Sequence, residues 1–300
     1  MSNAKRTQLS DLNLSAGKTR RLSRLLYESG PANGTLMILP IDQGLEHGPR
    51  DFLDAVEARN PEFQFRVAVN GRYSAIALQI GLAEKYYPEF ADQVPLIVKL
   101  NGKTEIPMDD APFSPLNAAV EDAVRLGADA VGYTLYVGSA RQDEDFRQFA
   151  TVRRDAERYG MPVIVWAYPR GSWVEKKGGK DSLWAVDYAA RTAQELGADV
   201  IKLNIPRSDA EQLQKAPSGY QRAWTELDAL EQVIASAGKS LVIFAGGERG
   251  SIENTIAKAR ICMDAGASGL IFGRSVWQRK YEDALEVSQA AHRVLQDYGG

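Results

Sequence analysis

Eight short apolar runs recur along the chain, and longer segments with helical periodicity separate most of them. The runs lie at Leu36–Ile41, Ala75–Ile80, Pro95–Leu100, Ala130–Leu135, Pro162–Ala167, Asp199–Ile205, Ser240–Ala245 and Ser268–Phe272. Continuous apolar runs of this length are typical of parallel strands that are buried on both faces. Because strand and helix alternate through the chain, the pattern predicts an α/β fold, a (β/α)8 TIM barrel with an outer ring of helices.

Five of the intervening segments combine apolar residues at helical spacing with a glycine directly after the last turn, where a helix C-cap favours glycine. These segments are Leu116–Leu126, Arg147–Tyr159, Ser182–Leu196, Trp224–Ala237 and Ile252–Ala265. Three less regular segments, 43–74, 101–115 and 170–180, each follow a predicted strand. We expect them to form loops, the first with a short helix, at the face where such barrels hold their active sites.

Residues 1–30 are polar and basic, and we expect them to form an arm beside a single barrel domain over residues 31–300. Leucines at helical spacing alternate with arginines in this arm: Leu22, Leu25 and Leu26 with Arg20, Arg21 and Arg24. The pattern predicts a short helix packed on the outside or bottom of the domain. We expect the arginines to face solvent or a neighbouring subunit, not nucleic acid.

Composition narrows the classes of protein to which this chain can belong. In 300 residues the apolar content is 44% and the charged content 25%, as in ordinary globular proteins, and the net charge of −3 gives no general attraction to nucleic acid or anionic lipid. The single cysteine, Cys262, lies in an amphipathic pattern and is expected to be a buried apolar residue. No apolar run is long enough to cross a membrane and no signal-peptide core is present, so we expect a cytoplasmic protein.

The small number of histidines bears on metal chemistry. Only His47 and His292 are present, and His292 falls in the polar pattern of the last predicted helix. A zinc site built from several histidines therefore cannot form, and no acidic cluster demands magnesium. We expect a protein that works without a metal ion or other cofactor.

A lysine lies in the middle of the sixth apolar run, within the segment Gly197–Pro206. Side chains alternate along a strand, so Val200, Lys202 and Asn204 share one face. Burial of an ammonium group lowers its pKa, and a neutral amine is the nucleophile that attacks carbonyl groups to form a Schiff base. The alternative is a lysine at a strand end that reaches water or pairs with a carboxylate.

The end of the fifth predicted strand carries side chains that suit the same chemistry. Trp166, Tyr168 and Arg170 share one face of this strand, which neighbours the sixth strand in a barrel. A Tyr168 hydroxyl near the Lys202 amine would act as proton donor or acceptor at a Schiff base. For Trp166, core packing and a place in the site are equally good interpretations.

Charged residues also end the first and third predicted strands. Asp42 follows the first strand and would either orient substrate hydroxyls or form a structural ion pair. Lys99 and Lys103 surround the end of the third strand, and we favour Lys99 as a substrate-binding residue because it lies within the strand.

Glycines after the last two predicted strands suit a phosphate group. Gly246 and Gly247 follow the seventh strand, and Gly273 and Arg274 follow the eighth. Glycine lets backbone N–H groups approach an anion, and an arginine adds further donors. A double glycine alone is also a simple turn, but the two pairs in this order favour a phosphate site.

Four sequence motifs lie at these strand ends: Pro40–Pro49 (PIDQGLEHGP), Trp166–Gly171 (WAYPRG), Ala198–Lys202 (ADVIK) and Gly273–Arg279 (GRSVWQR). In this order and spacing they resemble those of the archaeal-type class I fructose-bisphosphate aldolases, a family that also has bacterial members. The resemblance extends from about residue 30 through nearly the whole chain. Gln43 stands where the archaeal pattern often has histidine, and Ala245 replaces a common serine, which removes one hydroxyl contact to phosphate.

The resemblance implies a barrel that is often assembled into rings of subunits, with Lys202 as the Schiff-base lysine and Tyr168 as the proton-transfer residue. The other site residues that it implies are Asp42, Trp166 and Arg170, together with Gly246, Gly247, Gly273 and Arg274 for phosphate.

These observations predict a metal-independent aldolase that cleaves fructose 1,6-bisphosphate reversibly to dihydroxyacetone phosphate and glyceraldehyde 3-phosphate. Its partners would be a small phosphorylated sugar and further copies of the chain, with no nucleic acid and no membrane. Two alternatives remain open: a related lysine-dependent aldolase or transferase acting on another phosphorylated sugar, and a non-catalytic barrel that binds a phosphorylated metabolite. The set of Lys202, Tyr168 and Asp42 argues against the second alternative.

Overall fold

Eight parallel strands form a closed barrel in chain order in the computed structural model, which describes residues 6–246 and 250–299. The strands are β1 Leu36–Ile41, β2 Ala75–Gln79, β3 Leu96–Lys99, β4 Ala130–Val137, β5 Val163–Pro169, β6 Val200–Leu203, β7 Leu241–Ala245 and β8 Gly269–Ile271. The barrel closes where Leu36 of β1 pairs with Gly269 of β8. The predicted (β/α)8 fold is confirmed.

Helices surround the barrel and also form parts of its loops. They are α1 Ala16–Ser23, α2 Gln43–Glu46, α3 Pro61–Asn70, α4 Ile80–Tyr86, α5 Val120–Arg125, α6 Gln142–Arg158, α7 Ser172–Lys176, α8 Leu183–Leu196, α9 Ala210–Lys215, α10 Glu226–Ser236, α11 Ile252–Asp264, α12 Arg274–Trp277 and α13 Tyr281–Gln296. Within the described part of the chain, no helix combines the length and hydrophobicity that crossing a membrane requires. Cys262 is buried in α11, as predicted.

Two predicted helix starts differ from the structure by more than two residues. Helix α5 begins at Val120, not at Leu116, because Leu116 forms a bridge with Asn101 and the Asp122 carboxylate caps the Ala119 N–H at 2.9 Å. Helix α6 begins five residues earlier than predicted, at Gln142. Three acidic residues occupy its first turn, where carboxylates stabilise the positive end of the helix dipole.

The N-terminal arm closes the bottom of the barrel, where the strands begin. Leu22, Leu25 and Leu26 are buried in one cluster with the inward-facing side chains of the strands, such as Ile97 and Ile164. The arm helix therefore packs on the bottom, as predicted. The domain boundary at residue 30 stays a prediction.

The prediction that the arm's arginines face solvent or a subunit is wrong for two of them. Arg24 donates to the Asp129 carboxylate at 3.0 Å, at the start of β4, and Arg21 donates to the Gly160 carbonyl at 3.0 Å. Lys18 forms a buried ion pair with Asp199 at 3.0 Å, at the start of β6. These cations fix the arm to the barrel because carboxylates and carbonyls meet them at the strand starts.

The barrel interior changes from apolar to polar along its axis. Inward-facing residues near the strand starts are aliphatic, whereas Lys99, Trp166 and Lys202 face inward near the ends. Gly132 of β4 makes room for them, because a Cβ atom there would lie 2.6 Å from Lys99 Cδ and 2.8 Å from Trp166. The polar layer opens into a cavity at the C-terminal ends of the strands.

Candidate active site

Lys202 is the central residue of the cavity. It lies opposite Trp166 in the β5–β6 register and is 5% exposed. Its Nζ donates to Tyr168 Oη at 2.5 Å and to Asn204 Oδ1 at 3.3 Å. Burial lowers the pKa of the Lys202 amine to about 7, against the opposing effect of Asp42, so much of the amine is neutral at neutral pH.

Tyr168 keeps its proton in this environment. Burial raises the pKa of its hydroxyl well above the ordinary value, and the nearby carboxylates of Glu46 and Asp42 raise it further. The Arg170 guanidinium lies 4.9 Å from the centre of the Tyr168 ring. The predicted approach of Tyr168 to Lys202 is confirmed, and it places a phenolic proton directly beside the amine.

Lys99 and Asp42 form an ion pair beneath the cavity. Lys99 is fully buried, and its Nζ lies 3.1 Å from Asp42 Oδ2 and donates to Thr134 Oγ1 at 2.8 Å. The same ammonium lies 4.5 Å from the centre of the Trp166 ring. Asp42 and Trp166 line the cavity but Lys99 does not, so its position supports an orienting role and not the predicted direct contact with substrate.

Asn204 and Asp181 join the site without having been assigned a role from the sequence. Asn204 accepts from Lys202 and donates its own Nδ2 to Asp181 Oδ1 at 2.9 Å. The strand alternation that places Asn204 on the face of Lys202 is the signal for the first residue. Asp181 lies in a loop, where periodicity gives no such signal.

Glu46 is a second residue that sequence reasoning missed. It lies in α2 directly after β1, lines the cavity, and has Oε1 at 3.9 Å from Lys99 Nζ. Burial raises the pKa of its carboxyl group to about 7, with Lys99 opposing this effect. The motif that follows β1 contained the signal, because a helical turn brings a residue four positions after Asp42 back towards the strand end.

The predicted phosphate residues lie at the β7 and β8 side of the cavity. Gly246, Gly273 and Arg274 line it, whereas Gly247 lies outside the described residues. The N–H of Gly246 donates to the Ile271 carbonyl at 3.0 Å, so this group is not available as the predicted donor to phosphate. A Cβ atom at Gly246 would lie 2.3 Å from the Phe272 ring, so this ring leaves room only for glycine.

The cavity measures about 780 Å³ and carries further cations at its rim. Lys180, Arg207 and Lys258 line it in addition to Arg170 and Arg274. No group of three or more His, Cys, Asp or Glu side chains in residues 6–246 and 250–299 is arranged to hold a metal ion. The arrangement combines a neutral amine, a phenolic proton donor and several cations, which suits attack on the carbonyl of an anionic substrate.

Most of the chain is similar in sequence to known aldolases. The model of the DeoC/LacD family of aldolases matches residues 36–279. A class 1 fructose-bisphosphate aldolase from Thermoproteus tenax is 38% identical over 286 residues, which cover 95% of this chain and 96% of the relative. A 2-amino-3,7-dideoxy-D-threo-hept-6-ulosonate synthase from Halobacterium salinarum is 33% identical and covers 92% of this chain and 91% of its own.

One solved structure is that of an archaeal fructose-1,6-bisphosphate aldolase whose catalytic lysine is covalently bound to the carbinolamine intermediate of the substrate. It superimposes with a TM-score of 0.77 at 35% sequence identity, over 92% of this chain and 99% of that one.

Proposed function

Because the chain belongs to the DeoC/LacD family of aldolases, we propose that it is a class I fructose-bisphosphate aldolase. It cleaves fructose 1,6-bisphosphate reversibly to dihydroxyacetone phosphate and glyceraldehyde 3-phosphate through a Schiff base. The observation that carries the proposal is the buried amine of Lys202 within 2.5 Å of the Tyr168 hydroxyl.

The first step is attack of the neutral Lys202 amine on the C2 carbonyl of the sugar. Its pKa of about 7 leaves enough free amine to react at neutral pH. The resulting carbinolamine loses water when the Tyr168 hydroxyl donates a proton to the departing oxygen. Tyr168 suits this task because its raised pKa keeps it protonated until the leaving group needs the proton.

The second step uses the iminium ion as an electron sink. The electron pair of the C3–C4 bond moves into a C2–C3 double bond and neutralises the nitrogen, while the C4 hydroxyl becomes the aldehyde of glyceraldehyde 3-phosphate. Protonation of the enamine at C3 and hydrolysis then release dihydroxyacetone phosphate. Asp42, held by Lys99 at 3.1 Å, is placed to orient the sugar hydroxyls.

The two phosphate groups need cations on different sides of the cavity. Arg274, beside Gly273, supplies one at the end of β8. Lys180 and Arg207 supply another, because Arg207 N donates to the Asp181 carbonyl at 2.7 Å and so ties the loops after β5 and β6 together. Within the described residues neither of these two side chains has an ion-pair partner, which leaves both free to bind phosphate.

The similarity to a hept-6-ulosonate synthase supports a second candidate function. That activity would use the same lysine on another phosphorylated sugar. A panel of ketose phosphates and bisphosphates separates the two, because the proposed aldolase shows its highest kcat/KM with fructose 1,6-bisphosphate.

The proposal is tested by borohydride reduction in the presence of fructose 1,6-bisphosphate, followed by mass spectrometry of the peptides. We expect a covalent adduct on Lys202 that is absent from Lys202→Met and unchanged in Lys215→Met, which removes an exposed lysine of α9 paired with Glu211. An adduct that persists in Lys202→Met contradicts the mechanism. Activity should survive EDTA, and its loss on chelation would indicate a metal-dependent reaction instead.

We propose in addition that the protein forms a homo-oligomeric ring and works in the cytoplasm. The resemblance to aldolases that assemble into rings supports the first proposal, and the composition of the chain supports the second. Light scattering of the purified protein tests the assembly, and a single-subunit mass would contradict it.

A further inference from the structure

The Lys202 amine must present its lone pair to the carbonyl carbon of the ligand. A neutral amine has two N–H groups and one lone pair, and a hydrogen bond donated to the lone pair would block its attack. Tyr168 Oη and Asn204 Oδ1 accept from Nζ at 2.5 Å and 3.3 Å, so each N–H group has an acceptor and the lone pair is left for the ligand. The reactivity of the amine therefore depends on which atoms of its neighbours face it.

The amide group of Asn204 has two different ends, and only one of them suits this arrangement. Its oxygen accepts hydrogen bonds and its nitrogen donates them, and the two exchange places when the group turns by half a rotation. With the oxygen towards Lys202, the amide accepts an N–H of the amine. With the nitrogen there, it would donate to the lone pair and block the attack.

Asp181 determines which end of the Asn204 amide faces the amine. Its Oδ1 accepts from Asn204 Nδ2 at 2.9 Å. A carboxylate only accepts hydrogen bonds, so it binds the nitrogen end of the amide and keeps the oxygen end towards Lys202. A hydrogen bond with a charged partner is also stronger than one between neutral groups, which favours this orientation.

The backbone of the Asp181 loop is held without help from the carboxylate. Ser182 forms a bridge with Arg207, Arg207 N donates to the Asp181 carbonyl at 2.7 Å, and Leu183 N donates to the Arg207 carbonyl at 2.8 Å. The side chain of Ser182 caps the first turn of α8. Because these contacts already fix the loop, its attachment to the barrel does not account for the contact between Asp181 and Asn204.

We propose that Asp181 is a positioning residue for Schiff-base formation, which acts through Asn204 by keeping the amide oxygen against the Lys202 nitrogen; this inference rests on the proposed function. In the free protein the Asn204 oxygen holds one N–H of the amine. After the carbinolamine has lost water, the iminium nitrogen carries one N–H and a positive charge, and the same oxygen accepts from it. Asp181 takes up no proton in either step.

The test measures how fast the Schiff base forms with dihydroxyacetone phosphate, because this ligand gives an adduct without any cleavage of a carbon–carbon bond. Borohydride reduction at timed intervals and mass spectrometry follow the adduct on Lys202. At saturating ligand, Asp181→Ala should lower the rate by about 10- to 100-fold, the effect of losing one hydrogen bond to a charged group. Asp181→Asn should recover part of this rate, since its amide oxygen still accepts from Asn204.

A double-mutant cycle distinguishes positioning through Asn204 from a general structural effect. Asn204→Leu removes the amide and should lower the rate about as much as Asp181→Ala does. The two substitutions together should be no slower than Asn204→Leu alone, because Asp181 acts only through Asn204. Asn204→Ala takes the place of the leucine variant in the cycle if the latter does not fold.

A matched control is Asp143→Ala. It removes an exposed carboxylate of α6 that is paired with Arg147, so we expect the rate of the wild type.

Four results would overturn the inference. Three concern the rate: Asp181→Ala within threefold of the wild type, Asp181→Asn no faster than Asp181→Ala, or a further loss when Asp181→Ala is added to Asn204→Leu. The fourth is a change confined to the ligand concentration at half-maximal rate, which would indicate that Asp181 binds the ligand directly. The proposed function itself fails differently, through the absence of any adduct in the wild-type protein.

Discussion

Burial of the Lys202 amine away from water leads to a quantitative prediction about how the stability of the folded protein depends on pH. Its pKa falls from 10.5 to about 7 in the folded protein. Each pKa unit corresponds to about 1.4 kcal/mol, so the protonated form destabilises the folded state by roughly 5 kcal/mol below pH 7. The unfolded chain holds this proton up to higher pH than the folded one, so the stability of the protein rises as pH increases from 7 to 10.

Replacement of Lys202 by methionine removes this dependence, because methionine fills a similar space without a charge. The variant loses activity but should be more stable than the wild type at pH 6. The net gain should be roughly 2 to 4 kcal/mol, since the Tyr168 hydroxyl loses its partner at a cost of about 1 to 3 kcal/mol. The gain should then shrink by about 1.4 kcal/mol for each pH unit above 7.

Urea unfolding at a series of pH values between 6 and 9 measures this difference. The informative quantity is the slope of the stability difference with pH, because the lost hydrogen bond and changes in packing affect all pH values equally. Lys215→Met, at the surface of α9, controls for the general effect of removing a cation. A stability difference between Lys202→Met and wild type that does not change between pH 7 and 9 would refute the assignment of a neutral buried amine.

Three further predictions concern single substitutions in or beneath the cavity. Tyr168→Phe should lower kcat by about 10²- to 10⁴-fold with little change in KM, as steady-state kinetics would show; a kcat near that of the wild type would remove Tyr168 from the mechanism. Arg207→Ala should raise KM for fructose 1,6-bisphosphate by about 10-fold in steady-state kinetics, from the loss of one charge-assisted hydrogen bond. An unchanged KM would show that Arg207 does not bind a phosphate group of the substrate. Gly132→Ala should destabilise the protein by about 1 to 3 kcal/mol in urea unfolding, because the added methyl group would lie 2.6 Å from Lys99 Cδ and 2.8 Å from Trp166; an unchanged midpoint would show that the layer has spare room.

The parts of the fold set by local pattern were predictable from the sequence. The apolar runs located all eight strands, and strand alternation placed Lys202, Trp166 and Tyr168 on the inner face. Helix starts were less predictable. The apolar pattern begins at Leu116, but this residue forms a bridge with Asn101, and α5 begins only at Val120.

The candidate site was predictable where side chains sit on strands, and less so elsewhere. The role of Lys99 depends on its distances to Asp42, which follows β1, and to Thr134 in β4, and neither residue has a fixed spacing from Lys99 in the sequence. The same holds for the N–H of Gly246, which the Ile271 carbonyl occupies. Such cross-strand contacts follow from barrel geometry, not from any local sequence signal.

The attachment of the arm to the strand starts has a consequence at the opposite end of the barrel. Lys18 forms an ion pair with Asp199, which directly precedes β6 and lies three residues before the reactive lysine. Three residues of extended chain span only about 10 Å, so the floor of the barrel lies close beneath the amine. Deletion of the arm would therefore let water enter the barrel at the strand starts and raise the pKa of the Lys202 amine, so that the amine becomes protonated. Catalysis would weaken although no group that touches the sugar has changed.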